Sequence, residues 1–159
     1  MTESHQQIYL AVIGAGNAQP EIYSIAMAVG REAALKGWVV VTGGLGGVME
    51  GAAKGAREAG GLTLGILPGG DRREANPYID VAVATHTHHA RNAMIAETAD
   101  ALIAVDGEYG TLSEVALGLK LGKPVVGLRT AWTVPGLIPA TDPRDAIEKV
   151  SQILETRDL

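Results

Sequence analysis

The chain has 159 residues, 47% of them hydrophobic and 19% charged, with a formal net charge of -5; this suits one domain with a substantial core and excludes a broad basic face for nucleic acid. It contains no cysteine, which excludes disulfides, thiolate nucleophiles and cysteine-held metals. No apolar run approaches the ~18 residues of a membrane span and no signal peptide precedes Ile8, so a cytoplasmic protein without a membrane partner is expected.

Hydrophobic runs and glycine turns alternate along the chain. Residues 1 to 7 are expected to be disordered or extended. Residues 8 to 13 predict a first strand, with Gly14-Ala15-Gly16-Asn17 as its turn. A helix is expected from Pro20 to Lys36, with Pro20 in its first turn and Gly37 at its end. A second strand over Trp38 to Thr42 leads through Gly43-Gly44-Leu45-Gly46-Gly47 into a helix of small residues from Val48 to Ala59. Leu62 to Leu67 predict a third strand, 68 to 78 a polar loop, and Ile79 to Ala84 a short fourth strand. A helix from His88 to Thr98 precedes the apolar run 101 to 105, which reads as a strand buried on both faces.

Gly107 and Gly110 then open a turn into a helix from Gly110 to Leu121, with Leu112, Val115, Ala116 and Leu119 as its core stripe. Pro124 to Leu128 predict a sixth strand. Asp142-Pro143 cap a final helix to Glu155, and 129 to 141 form a long connection without a clear element. Such alternation predicts an α/β, three-layer doubly wound fold with a mainly parallel sheet over 1–159. Its ligand would lie at the carboxyl edge, where all the glycine turns gather.

Twenty-one glycines, about 13% of the chain and roughly twice the usual share, favour loops that approach a ligand closely. A dinucleotide is excluded, because Gly14-Ala15-Gly16 lacks the third glycine of the fingerprint and no acid ends the second strand to hold a ribose; NAD is not expected. No Walker motif is present. The first turn of the helix after Val105 offers free N–H groups and a positive dipole end, a site for a phosphate.

Four stretches together carry a resemblance: Gly43-Gly44-Leu45-Gly46-Gly47-Val48-Met49-Glu50, Asn76-Pro77-Tyr78, Arg91-Asn92, and Gly107-Glu108-Tyr109-Gly110-Thr111-Leu112-Ser113-Glu114. They resemble the superfamily once labelled possible lysine decarboxylases, which holds the Lonely Guy phosphoribohydrolases and the molybdenum cofactor carrier proteins. The hydrolases read P-G-G-x-G-T-x-x-E in the last motif and follow the arginine with lysine. Asp106, Glu108 and Asn92 depart from that pattern, and the Asn76-Pro77-Tyr78 loop with Arg91-Asn92 looks more like the carrier branch.

The resemblance implies a carried ligand, the molybdenum cofactor, a pyranopterin phosphate, with molybdoenzymes as possible acceptors. Together with the turn after the first strand at the carboxyl edge, it gives the binding residues Gly14, Gly16, Asn17, Gly43, Gly44, Gly46, Gly47, Arg91, Asn92, Asp106, Gly107, Glu108, Tyr109, Gly110, Thr111 and Glu114. Pyridoxal phosphate is not expected, since no motif lysine would hold it. The alternatives are a nucleoside 5'-monophosphate phosphoribohydrolase, with Arg91 and Glu114 catalytic, and a nucleotide sensor without catalysis.

Each residue also has a plainer reading. Thr111-x-x-Glu114 fits a capping box, and Arg91 an ordinary ion pair. Asp106 and Glu108 oppose an anion unless they turn away or meet the N–H edge of a heterocycle. His86, His88 and His89 read as solvated loop histidines ahead of metal ligands, Arg72-Arg73 as a solvated pair, and Trp38 and Trp132 as packing residues. Leu117 and Leu121, off the core stripe, point to a homodimer or homotetramer.

Overall fold

The computed structural model describes residues 7–157, so the expectation for 1 to 7 lies, Gln7 apart, outside the described residues. Seven strands form one parallel sheet: β1 (Tyr9–Gly14), β2 (Val39–Thr42), β3 (Thr63–Leu67), β4 (Val81–Ala84), β5 (Ala101–Val105), β6 (Val125–Leu128) and β7 (Ile138–Pro139). Five helices connect them: α1 (Pro20–Leu35), α2 (Val48–Glu58), α3 (Arg91–Thr98), α4 (Tyr109–Lys120) and α5 (Pro143–Arg157). The order β4-β3-β2-β1-β5-β6-β7 makes this the doubly wound fold expected.

Alternate side chains of the central strands feed two cores. Leu10, Val12, Val40, Ile103, Val105 and Leu128 pack with α1, α2 and α5 on one face. Ala11, Ile13, Val41, Ile66, Leu102 and Ala104 meet Ile95, Ala96 and Val115 of α3 and α4 on the other. Burial on both sides explains why β2, β5 and β6 read as unbroken apolar runs. The small residues of α2 also find their reason: a Cβ on Gly30 or Gly55 would meet the backbone of the opposing helix, so α1 and α2 cross at close range.

Three differences from the expected elements have local causes. α4 starts at Tyr109 rather than Gly110, with Glu108 as N-cap. The stretch from His88 begins as a 3-10 turn, His88–Ala90, and becomes α-helical at Arg91. β7 lies inside the connection that showed no element; it is a two-residue edge strand containing proline, paired Val126↔Ile138 and Gly127↔Pro139, too short for a periodic signal. No helix among the described residues is long and apolar enough to cross a membrane.

Strand order positions the site. The chain lays β2, β3 and β4 outward from one side of β1, then returns to place β5 on the other, with Gly14 opposite Val105. The turns after β1 and β5 therefore part around a crevice at the carboxyl edge. Among the described residues, the left-handed non-glycine ones all sit at that edge, after β4 (His86 and His88, φ 53 each), β5 (Asp106, φ 53) and β6 (Arg129, φ 56). Such strain persists only where surrounding structure holds it, and it gathers at functional edges.

Candidate functional site

A cavity of about 510 Å³ opens at this crevice, within the range of small-ligand sites. Of the residues singled out from sequence, Gly14, Gly16, Gly43, Arg91, Asn92, Glu108, Gly110, Thr111 and Glu114 line it. They come from three separate turns and two helices, brought together only by the sheet.

Arg91 opens α3 and turns its guanidinium inward against β2 and β3. Its Nη1 donates to the Ile66 carbonyl at 3.2 Å, and its Nε is buried without a partner. The guanidinium lies across Gly43, where any Cβ would collide with it. Burial holds its pKa below the usual arginine value, while the charge of Glu114 pulls it back up.

Glu114 stands one turn into α4 and is only 8% exposed. Burial pushes its carboxyl up to about 7, against the opposing pull of Arg91. The two residues share the cavity without a direct ion pair, so Arg91 is not the simple salt-bridge partner that its sequence also allowed. The capping-box reading also falls: α4 begins at Tyr109, no side chain caps it, and Thr111 and Glu114 both lie within the helix. The first bond of the helix runs from the Leu112 N–H to the Glu108 carbonyl at 2.9 Å. Helix geometry leaves the N–H groups of Tyr109, Gly110 and Thr111 without intrahelical partners, and Gly110 and Thr111 face the cavity.

The other sequence candidates shape the cavity from behind or lie off its wall. Gly44 and Gly47 take left-handed conformations (φ 79 and 63) that bend the β2–α2 loop. Asn76 holds that loop, its N–H donating to the Gly44 carbonyl at 2.8 Å and its side-chain amide to Leu45 at 2.8 Å. Gly46 and Gly47 press on the backbone of the β1 turn at Ala15 and Gly16; Asn17 sits beside this contact and outside the cavity wall. Asp106 also stands off the wall, and its charge acts on Arg129. Arg129 in turn donates to Glu21 at 2.8 Å. Gly107 is buried behind the loop, and Tyr109 projects outward, 88% exposed. Of the two loop acids, Glu108 alone faces the ligand space.

The cavity also has residues that sequence reasoning did not assign to it. Leu45, Met49 and Pro68 form an apolar wall, and His88 and His89 border it on the α3 side. Met49 lies between Gly16 and Gly43; the rule that residues just after parallel strands border the ligand could have found it. The histidines are exposed, with the rings of His86 and His88 5.2 Å apart, and no metal-holding cluster of three or more His, Cys, Asp or Glu occurs among the described residues. Arg72 and Arg73 lie over β4, away from this cavity, with Arg73 paired to Asp71 at 3.0 Å.

The comparisons with known proteins bear on the fold and the family. The molybdenum cofactor binding protein of Rippkaea orientalis superimposes with a TM-score of 0.90 at 36% identity, covering 95% of this chain and 99% of that one. The Moco carrier protein of Chlamydomonas reinhardtii gives a TM-score of 0.86 at 35% identity, again over 95% and 99% of the two chains. A cytokinin riboside 5'-monophosphate phosphoribohydrolase of Mycobacterium marinum is 36% identical over 105 residues, which is 64% of this chain and 56% of the hydrolase. The match to the hydrolase thus spans little more than half of that protein's length. The model of the SLOG cluster4 family matches residues 7–156. By that match, and with a carrier-like fold and Lonely Guy-like relatives, the chain belongs to the SLOG cluster4 family.

Proposed function

We propose that this protein binds and carries a phosphorylated heterocycle, with the molybdenum cofactor as its cargo. The observation that carries the reading is the charge layout of this cavity. The first turn of α4 and Arg91 supply an anion cradle, while Glu108 places an acceptor on the same wall. A phosphate would take the free N–H groups of Gly110 and Thr111. A ring bearing N–H groups would lie along Leu45, Met49 and Pro68 with Glu108 as its acceptor. The unpartnered Nε of Arg91, on a guanidinium seated in the space that Gly43 leaves, fits an arginine placed to meet an anion. With no cluster of metal ligands among the described residues, a carried metal would stay on the cofactor's own donors. The likeness to carrier proteins over nearly their whole length supports the same reading. Molybdoenzymes that accept the cofactor would be the downstream partners.

A second reading, hydrolysis of a nucleoside 5'-monophosphate, draws on one specific observation. Arg91 and Glu114 share the cavity, and a carboxyl near neutral pKa suits proton transfer. Glu108 works against it, since its side chain stands where the hydrolase motif has a glycine and crowds the arrangement that must fix phosphate, Arg91 and Glu114 together around the anomeric carbon.

Two measurements on gently purified protein separate these readings. Mass and metal analysis of the released ligand is expected to find a phosphorylated pterin, and incubation with AMP is expected to release no free adenine. Base release at about 1 per second or faster, lost in Glu114→Gln, would instead establish the hydrolase. If neither pterin nor turnover is found, the remaining reading is a nucleotide sensor, tested by thermal shift against a nucleotide panel.

A further inference from the structure

The connection from 129 to 141 crosses behind the ligand loop, and one of its side chains grips it. Trp132 is half-buried, with its ring packed against the core on the α3 and α4 face. Its indole Nε1–H donates to the carbonyl of Gly107 at 3.1 Å. Gly107 is itself confined: it is buried at φ 100, directly after the left-handed Asp106, and a Cβ there would run into the Thr111 side chain.

The described chain has no cis peptide bond, so the 107–108 peptide points its carbonyl and its N–H in opposite directions. With the carbonyl held by Trp132, the N–H of Glu108 is turned away from the indole. Glu108 and Gly110 line the cavity and Trp132 does not. A flip of this peptide would put the negative end of a carbonyl beside the α4 N-terminus, against any bound anion.

We propose that Trp132 is a positioning residue that fixes the Gly107–Glu108 peptide so that the Glu108 N–H joins the free N–H groups of α4 in the anion cradle. The inference rests on reading the cavity as an anion site, and its test has an arm that does not. Trp132→Phe keeps an apolar ring in the core and removes the donor. In full-length protein without ligand, amide hydrogen exchange over residues 107–112 is expected to quicken by about fivefold, the loss of one ordinary hydrogen bond. In a titration with inorganic phosphate and with AMP, followed by amide resonances, the Glu108 signal of the wild type shifts together with those of Gly110 and Thr111. The variant loses the Glu108 response and binds about fivefold more weakly.

Leu137→Ala, which trims the same apolar cluster without touching Gly107, is expected to lower Tm while leaving the Glu108 response intact. Unchanged exchange in Trp132→Phe overturns the latch. A wild-type Glu108 amide that stays still while Gly110 and Thr111 move overturns its place in the cradle. If neither probe moves any of these amides, the anion-site reading fails and takes the cradle with it, and the exchange arm then decides the latch by itself.

Discussion

Glu114→Gln is expected to stabilise the protein, and only at neutral and alkaline pH. Burial lifts the Glu114 carboxyl from its ordinary 4.5 to about 7, against the opposing pull of Arg91. Below about pH 4.5 the group is protonated in both folded and unfolded chains, and Gln is its near isostere, so variant and wild type should be about equally stable. Between 4.5 and 7 the unfolded chain gives up this proton while the folded one keeps it. Stability therefore falls as pH rises through that window. At about 1.4 kcal/mol for each pH unit the loss reaches about 3 kcal/mol by pH 7 and then levels off.

The variant escapes this loss. In urea denaturation across pH 4.5 to 8, the gap between variant and wild type should open from near zero to about 3 kcal/mol, or about 6 to 12 °C in Tm for a chain of this size. Parallel stability curves over that range would refute the account of a buried, destabilised carboxyl. A residue kept at such a cost to the fold fits a functional group better than a structural one.

Arg91→Ala should weaken binding of a phosphorylated ligand by about 1.5 to 3 kcal/mol, the usual worth of a charge-assisted hydrogen bond, in titration calorimetry; unchanged affinity would make Arg91 structural. Gly43→Ala should copy that loss, because its methyl would land on the Arg91 guanidinium; wild-type affinity in this variant would mean the arginine's position is immaterial. Glu108→Gln should tighten inorganic phosphate binding and Asp106→Asn should not, since Glu108 alone faces the cavity; equal effects would contradict the placement of the two acids. Light scattering at micromolar concentration should show a dimer or tetramer, because Val81, Val83, Met94 and Leu121 leave large apolar side chains exposed; a clean monomer mass would count against it.

The alternation of apolar runs and glycine turns was enough to read the architecture, since a strand buried on both faces has no freedom to be polar and a parallel sheet leaves its ligand turns at one edge. The same local logic pointed to the α4 turn, while Arg91 and Glu114 come from the family resemblance. That logic could not choose between cap and site for Glu114, because a capping box and a helix entering a cavity can share one spacing; the helix start at Tyr109 removes the cap and carries the carboxyl into a buried wall. Nor could it separate Asp106 from Glu108, two residues apart in one loop, until the left-handed turn at 106 and 107 sent one toward Arg129 and the other toward the ligand space. Met49 joins the cavity by packing between two glycine turns, and Trp132 reaches Gly107 from 25 residues away. Local spacing along the chain determines elements and their exposed ends. Which of those ends face each other is set by the strand order, and that follows from how the whole sheet buries its two faces.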